Sequence, residues 1–260
     1  MPRRAACASL AAAPREAGDE PRPLPTTLEH VILGIDTSLG TAVAVVEADG
    51  VVRADRASDN PLGHAEVIGT LLQEALADAA HGAIGQTGAA EPVTLTHVAA
   101  GMGPGPFTGL RVGIAAARAF ALGRGLPVVA VPSHDAAALG ILLAAAVADP
   151  FGDTPRFAVV TDARRREYAY SVYEGLDDDG LPVRVAGPAL TPRDGTDDVL
   201  AELGAARRDV TAISAAMLAT VAARAVAAGR ELTGPEPLYL RAPDVTLPAP
   251  RAPLGQVSRP

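Results

Sequence analysis

The spacing of apolar and polar residues predicts strands first and a helix after them. Apolar runs at residues 31–36 (VILGID) and 41–48 are separated by a Ser-Leu-Gly turn, and a third run at residues 51–56 follows an Asp-Gly pair. Asp-Gly favours a tight turn between antiparallel strands, so three consecutive strands are predicted. The segment 64–79 then repeats apolar side chains at helical spacing: Ile68, Leu71, Leu72, Ala75, Leu76 and Ala79.

Buried strands and helices alternate beyond this point. Residues 93–101 (VTLTHVAAG) predict a strand, residues 107–123 a helix and residues 127–132 (PVVAVP) a short buried strand. Ser133 stands where a helix N-cap belongs, and Asp135 in the first turn favours the helix dipole. The predicted order of this lobe is βββαβαβα, and the predicted fold class is α/β.

A smaller second lobe is predicted after Pro150. Its clearest part is a hairpin formed by RFAVVTD and EYAYSVY, with the polar turn at residues 163–166. A strand near 183–186, a helix at 211–229 and a final strand at 237–241 (PLYLR) are predicted to follow. The complete organisation is then a disordered leader at 1–28, a first lobe at 29–149, a second lobe at 150–242 and a Pro-rich tail at 243–260.

Composition excludes several kinds of chemistry. All 22 basic residues are arginine, so a P-loop, a protein kinase and Schiff-base catalysis, each of which needs a lysine, cannot be built. The formal charge of -8 repels a phosphate backbone, so tight RNA binding by this chain alone is not expected. Cys7 is the only cysteine, which excludes an intrachain disulfide and favours a reducing, cytoplasmic location. The apolar run between Asp135 and Asp149 is too short to span a membrane.

A Gly/Pro-rich loop that leads into a helix, GMGPGPFTGLRVG from residue 101, is the most unusual stretch. Such a loop can present backbone N–H groups to a phosphate, or it can be no more than a strand-to-helix turn. Asp36, in GIDTS, stands where an actin-like ATPase holds its metal phosphate, although a simple hairpin turn also accounts for it. If a nucleotide binds, the candidate residues are Asp36, Gly103, Gly105, Thr108 and Gly109.

The distribution of charged and small residues on the helix after this loop predicts a protein partner. Arg111 and Arg118 form a narrow charged stripe, whereas most of the remaining helix surface is apolar or small. Such a helix needs cover from more than its own sheet, and glycine or alanine permits close backbone approach. The predicted interface, on this helix and on the helix at 64–79, comprises Ile68, Leu71, Leu72, Gly109, Arg111, Gly113, Ile114, Ala117 and Arg118.

The five histidines argue against a metal site. None has a second histidine four residues later, so no HxxxH or HExxH pair exists. His64 is interpreted as a local cap or packing residue. His134, between Ser133 and Asp135, resembles a hydrolytic cluster only in sequence, because neighbours on a helix do not face one another. Arg164, Arg165 and Arg166 could touch RNA, but a solvated hairpin tip is the commoner explanation.

Five segments in order resemble the TsaB (YeaZ-type) family: GIDTS, GHAEVIGTLLQEAL, GPGPFTGLRVGIAAARAFALGRGLPVVAVPSHDA, TDARRREYAYSVY and PLYLR. The resemblance implies a two-lobed, actin-like, ribonuclease-H-like fold and a paralogue of the transferase TsaD. In TsaD an HxxxH pair holds the metal at which threonylcarbamoyl is transferred to the adenosine beside the tRNA anticodon. TsaB proteins lack that pair, as this chain does.

The resemblance also implies a role without catalysis. A TsaB-type subunit supports TsaD as a scaffold and pairs with it through the helices at 64–79 and 107–124, and the ATPase TsaE joins the complex. No cofactor is expected on this chain, since ATP and metal belong to the partner subunits. Transfer RNA is met only through the complex, no membrane is involved, and a homodimer forms when the chain is alone.

One segment departs from the family pattern. Between Glu202 and Thr211 the chain passes almost directly into the next helix, where the family has a further strand and a glycine-rich turn, so a trimmed second lobe is expected. An enzyme remains the alternative, either an actin-like ATPase or kinase or a metallopeptidase-like hydrolase. A self-pairing structural protein is a third possibility, because an apolar helix face can meet its own copy.

Overall fold

The computed structural model describes residues 30–58, 63–81 and 93–241, so the predicted leader and tail lie outside the described residues. Nine strands and five α-helices are found in these ranges. They are β1 Val31–Asp36, β2 Thr41–Glu47, β3 Val52–Ser58, α1 His64–Ala79, β4 His97–Gly101, α2 Phe107–Arg124, β5 Val128–Val131, α3 Ser133–Ala148, β6 Phe157–Asp162, β7 Glu167–Leu176, β8 Pro182–Pro192, α4 Thr196–Glu202, β9 Ala206–Asp209 and α5 Ala215–Ala227. The predicted order βββαβαβα is confirmed, and so is the α/β class.

The first sheet has the strand order β3-β2-β1-β4-β5. Strands β1, β2 and β3 pair antiparallel with one another, whereas β4 pairs parallel with β1 and β5 pairs parallel with β4. Parallel strands need a crossover connection, and the helices α1 and α2 supply it. Because the parallel strands end at the same edge, Asp36 and the loop after β4 are brought together there.

The second sheet repeats this arrangement in the order β8-β7-β6-β9. Here β9 is parallel to β6 and is reached through the short helix α4. The expectation that residues 202–211 pass directly into a helix is therefore wrong. The sequence ARRD forms a strand although it shows no apolar alternation, because backbone hydrogen bonds to β6 are enough to hold a short edge strand.

Helices cover both faces of the first sheet. Leu33, Ile35 and Val43 face α1 and α2, while Ile32 and the residues that alternate with them face α5. Helix α5 follows the second sheet in sequence but packs on β1 and β2, and it is shorter than the predicted 211–229. Gly34 allows this packing, since a Cβ there would lie 2.4 Å from the carbonyl oxygen of Ala215. The division of the chain at residue 150 stays a prediction.

Two local predictions are corrected. Ser133 is the first residue of α3 and its side chain caps nothing, because its hydroxyl is used elsewhere in the core. Residues 237–241 form no strand. Their apolar side chains alternate, but Tyr239 packs against α2, and Leu238 donates its N–H to the carbonyl of Met102, just after β4, at 2.8 Å. No helix in the described part of the chain combines the length and apolar character that a bilayer span requires.

Helix α2 is locked to the first strand turn by Thr37. The Thr37 hydroxyl donates to the carbonyl of Gly109 at 2.7 Å and accepts the N–H of Gly113 at 3.1 Å. A Cβ at residue 113 would lie 2.1 Å from that hydroxyl oxygen, so only glycine permits the contact. The lock explains why small residues stand on this side of the helix.

Gly113→Ala is therefore expected to destabilise the protein by about 2–3 kcal/mol, because it overpacks a buried contact and disturbs two hydrogen bonds. Gly123→Ala in the same helix is the matched control. A Cβ there meets nothing within 4 Å, so the better helix propensity of alanine should leave stability unchanged or raise it slightly. Urea unfolding followed by circular dichroism measures both, and equal midpoints for the two variants would contradict the lock.

Candidate functional site

The side chain of Asp36 is buried inside the protein. It is 1% exposed. One carboxylate oxygen accepts the N–H of Ser38 at 2.8 Å and its hydroxyl at 2.5 Å, and the other accepts the hydroxyl of Ser133 at 2.5 Å. A Cβ at Gly101 would lie 1.9 Å from this second oxygen. Burial raises the pKa of Asp36, and the hydrogen bonds from Ser133 and Ser38 partly oppose that rise. In this arrangement the carboxylate joins β1 to α3.

The first three residues of α3 point in different directions, as their positions on a helix predict. Ser133 binds Asp36 of the first sheet. His134 reaches the second sheet, where Nδ1 lies 2.9 Å from the Ser171 hydroxyl and Nε2 lies 3.0 Å from the Thr161 hydroxyl. Burial, followed by the charge of Arg184, lowers the pKa of His134 to about 3. His134, Ser171 and Thr161 are all buried, so these contacts pack α3 against the second sheet.

Asp135, the third of these residues, also contacts the second sheet. It accepts the Tyr173 hydroxyl at 2.6 Å and lies 3.7 Å from the Arg184 guanidinium. Burial raises the pKa of Asp135, while Arg184 and Tyr173 lower it in part. Burial and the neighbouring carboxylate raise the pKa of Tyr173 well above its ordinary value, so this hydroxyl remains a donor.

A cleft of about 520 Å³ opens between the two sheets. The loop and first turn of α2 form one wall, and the β6–β7 turn forms the opposite wall. Tyr239, Leu240 and Arg241 close a third side, and the buried ring of His64 lies at the floor. A smaller pocket of about 420 Å³ adjoins it at the β1–β2 turn. The volume falls within the range of small-molecule sites.

The residues predicted for a nucleotide are only partly brought together. Gly105, Thr108 and Gly109 line the cleft. Asp36 and Gly103 line neither pocket, and the N–H of Gly103 donates to the Ser133 hydroxyl at 3.0 Å. Sequence reasoning did not connect the arginine turn or Tyr239 with this cleft. The only available signal for the turn was its run of three arginines.

The predicted interface residues divide into two groups. Five pack in the chain's own core and are closed to a partner in this structure, because they lie between the first sheet and the facing helix: Ile68, Leu71, Gly113, Ile114 and Ala117. Gly109 is also buried, Leu72 is half-buried, and Arg111 and Arg118 are exposed. The residues of α2 that reach solvent are Thr108, Arg111, Ala115, Arg118, Ala119, Leu122, Gly123 and Arg124.

Part of this exposed face is already covered by the C-terminal segment. The Tyr239 ring packs on Phe107 at 4.8 Å between centroids, and its hydroxyl accepts Nε of Arg111 at 3.0 Å. The Arg118 guanidinium donates to the carbonyl of Pro235. Both arginines of the stripe that predicted a partner are therefore contacted by the chain's own C-terminal segment, while Ala119 and Leu122 stay exposed.

The described ranges contain no preformed metal site. No group of three or more His, Cys, Asp or Glu side chains there is arranged to hold an ion. All five histidines lie in these ranges, and the one close pair of rings is His30 and His97, 5.1 Å apart and edge to face. His134 and His64 are engaged with hydroxyl groups of neighbouring strands.

Sequence comparison connects the chain to one family. Residues 57–187 match the family model described as TsaD: tRNA N6-adenosine threonylcarbamoyltransferase. An uncharacterized protein of Mycobacterium tuberculosis is 39% identical over 167 residues, which cover 61% of this chain and 69% of that protein. An uncharacterized protein of Mycobacterium leprae is 38% identical over 164 residues, 62% of this chain and 38% of that protein.

Comparison with solved structures shows a related fold. YeaZ from Pseudomonas aeruginosa superposes with a TM-score of 0.58 at 22% identity, covering 81% of this chain and all of that one. A second P. aeruginosa structure, described as similar to peptidase YEAZ, gives 0.59 at 23% identity over 82% of this chain. With its βββαβαβα lobe and its second βββαβ sheet, the chain belongs to the TsaD family and has the actin-like fold of the family's YeaZ (TsaB-type) members.

Proposed function

We propose that this chain is a non-catalytic partner subunit of TsaD, required for threonylcarbamoylation of the adenosine next to the tRNA anticodon. It acts by forming a heterodimer with TsaD, and the ATPase TsaE joins the pair. The proposal combines the family membership with the state of the histidines. In a TsaD-family chain the absence of an HxxxH pair removes the ligands that the reaction needs from this subunit.

His134 is the observation that carries the non-catalytic assignment. Both of its ring nitrogens are within hydrogen-bonding distance of hydroxyl groups, its pKa is lowered to about 3, and the residue four positions later is Ala138. A neutral, fully buried imidazole held by Ser171 and Thr161 packs two sheets together. Neither ring nitrogen offers an open coordination position, and the side chain is closed to solvent.

The open half of α2 supports a protein partner. Leu122 is 85% exposed, and the exposed alanines Ala115 and Ala119 lie on the same face of the helix. A large apolar side chain above small residues is suited to helix packing, because the small residues let a second helix come close. The net charge of -8 makes protein contact a better expectation for this face than RNA contact.

Leu122→Asp is expected to abolish a one-to-one complex with the cognate TsaD in size-exclusion chromatography with light scattering. A charge at the centre of an apolar contact must be desolvated without a partner, which weakens binding by two orders of magnitude or more, on the order of 3 kcal/mol. Val147→Asp is the matched control. It is 84% exposed on α3, outside α2, and should leave the complex intact.

The same chromatography on the chain alone reports the homodimer, which is expected to compete with TsaD for this face.

An activity assay gives the independent test. TsaD and TsaE without this chain should not modify tRNA, and the purified chain should hydrolyse neither ATP nor a peptide. Full modification in its absence would refute the scaffold assignment, and ATP hydrolysis by the purified chain would favour an actin-like ATPase.

A further inference from the structure

A strap, residues 235–241, follows α5 and contains neither helix nor strand. Leu238 fixes it to the first sheet, because its N–H donates to the carbonyl of Met102, just after β4, at 2.8 Å. Arg241 fixes it to the second sheet through an ion pair with Glu167, the first residue of β7. One short segment therefore contacts both sheets and, between these two points, helix α2.

On α2 the strap contacts both arginines of the charged stripe. The Tyr239 hydroxyl accepts Nε of Arg111 at 3.0 Å, and the Tyr239 ring packs on Phe107. The Arg111 guanidinium also lies 3.8 Å from the centre of the Phe107 ring. The carbonyl of Pro235 accepts the Arg118 guanidinium. Each arginine of the stripe is therefore engaged within the chain.

These contacts fall on the face of α2 that the proposed partner would use. Residues four apart on a helix lie on the same face, so Arg111 lies one turn before the exposed Ala115. Arg118 lies one turn before the exposed Leu122 in the same way. Packed helices have their axes only about 8–10 Å apart, which leaves no space for a further segment between them. A partner helix that lay along this face would therefore collide with the strap.

The strap is held in a way that allows it to detach. Among the described residues, a single backbone hydrogen bond, from Leu238 to Met102, connects it to the rest of the chain. Pro235 and Glu236 are exposed, and residues 237–241 are only half-buried. Segments with few backbone hydrogen bonds and little buried apolar surface open at a much lower free energy than the whole fold. The strap can therefore leave α2 while both sheets stay folded.

We propose that the strap is an autoinhibitory contact on α2. In the isolated chain it occupies part of the partner face, and a helix of TsaD displaces it from Arg111 and Arg118 when the two chains pair. The released arginines then become available to acceptor groups of the partner beside the apolar contact. The inference rests on the proposed function, because it assigns a regulatory contact to the same face.

Titration calorimetry with the cognate TsaD compares the full chain with variants whose strap is weakened. Tyr239→Ala removes the ring and hydroxyl that contact α2. It is expected to bind TsaD about tenfold more tightly, the gain that follows if the strap is open in about a tenth of the free molecules. Arg241→Gln weakens only the attachment to the second sheet and should bind about twofold more tightly, since exposed ion pairs contribute little. Arg156→Gln breaks a similarly exposed pair with Glu174, away from the strap, and as the matched control should bind as the unmodified chain does.

Hydrogen exchange of the strap tests its displacement directly. The amide of Leu238 is expected to exchange about tenfold faster in the complex with TsaD than in the isolated chain, because its hydrogen bond to Met102 is broken. Unchanged or slower exchange in the complex would overturn the inference, and so would a Tyr239→Ala affinity no higher than that of Arg156→Gln. Binding of TsaD by Tyr239→Ala but not by the unmodified chain would support it. If neither chain binds TsaD, the proposed function fails and this inference fails with it.

Discussion

Ile114→Asp is expected to unfold the protein rather than to break an interface. The side chain is 4% exposed and packs with Leu33, Val98 and other residues between the first sheet and α1. The substitution removes a buried apolar side chain and introduces a charge with no partner, a combined loss of more than about 4 kcal/mol. Because natural domains are stable by only about 5–15 kcal/mol, most or all of the stability is lost.

Urea unfolding followed by circular dichroism measures this loss, and Ala115→Asp is the matched control. Ala115 is the next residue of α2 and is exposed, so a charge there stays solvated and should change stability by less than about 0.5 kcal/mol. If Ile114→Asp unfolds at the same denaturant concentration as Ala115→Asp, the assignment of Ile114 to the core is wrong.

The contrast between Ile114 and Ala115 shows which features of α2 could not be predicted from the sequence. Its bounds could be predicted, because a Gly/Pro loop precedes it and Gly125 ends it with a positive φ of 66°. Its orientation could not, because alanine and glycine occupy all sides and leave little apolar contrast. Arg111 and Arg118 do mark the outer face. The predicted interface nevertheless included Gly113, Ile114 and Ala117, which line the opposite, inner face.

The second half of the chain was harder to predict for two physical reasons. Strand β9 is made of ARRD, and a short edge strand held by backbone hydrogen bonds needs no apolar pattern. The segment 237–241 shows the alternation of a strand, but it finds a helix surface instead of a free sheet edge. Contacts between residues distant in sequence decided both cases, and a local pattern does not contain them.

The candidate site, too, could be predicted from the sequence only in part. That Ser133, His134 and Asp135 would point apart follows from helix geometry, and the structure confirms it. Where each one goes depends on strands that lie 27 to 97 residues away in sequence. The arginine turn was visible as a motif, but only the packing of the two sheets places it opposite the N-terminus of α2.

His134 is expected to make the stability of the protein fall on acidification. Its pKa is about 3 in the folded chain and 6.5 ordinarily, so below pH 6.5 the unfolded chain binds a proton that the folded chain cannot. Stability is fully present above pH 6.5 and is lost progressively toward pH 3. At about 1.4 kcal/mol per pH unit of that window, the loss between pH 7.5 and pH 5 is about 2 kcal/mol.

Other groups near His134 act in the same pH range and must be separated from it. Asp36 and Asp135 have raised pKa values, so the folded chain takes up their protons first and acidification toward their ordinary value of 3.8 favours folding. The charge of Arg184 lowers the pKa of His134 further, in addition to the effect of burial. The difference between the unmodified chain and His134→Asn isolates the histidine.

Urea unfolding at pH 7.5 and pH 5 gives this difference directly. His134→Asn is less stable at pH 7.5, because it leaves a space and alters the hydrogen bonds to Ser171 and Thr161, but its stability should change with pH by about 2 kcal/mol less. His81→Asn, at an exposed position, should keep the full pH dependence. If His134→Asn keeps it as well, the imidazole is not the buried neutral group that joins the two sheets. In that case His134 becomes available for chemistry, and the non-catalytic assignment of this subunit loses its main support.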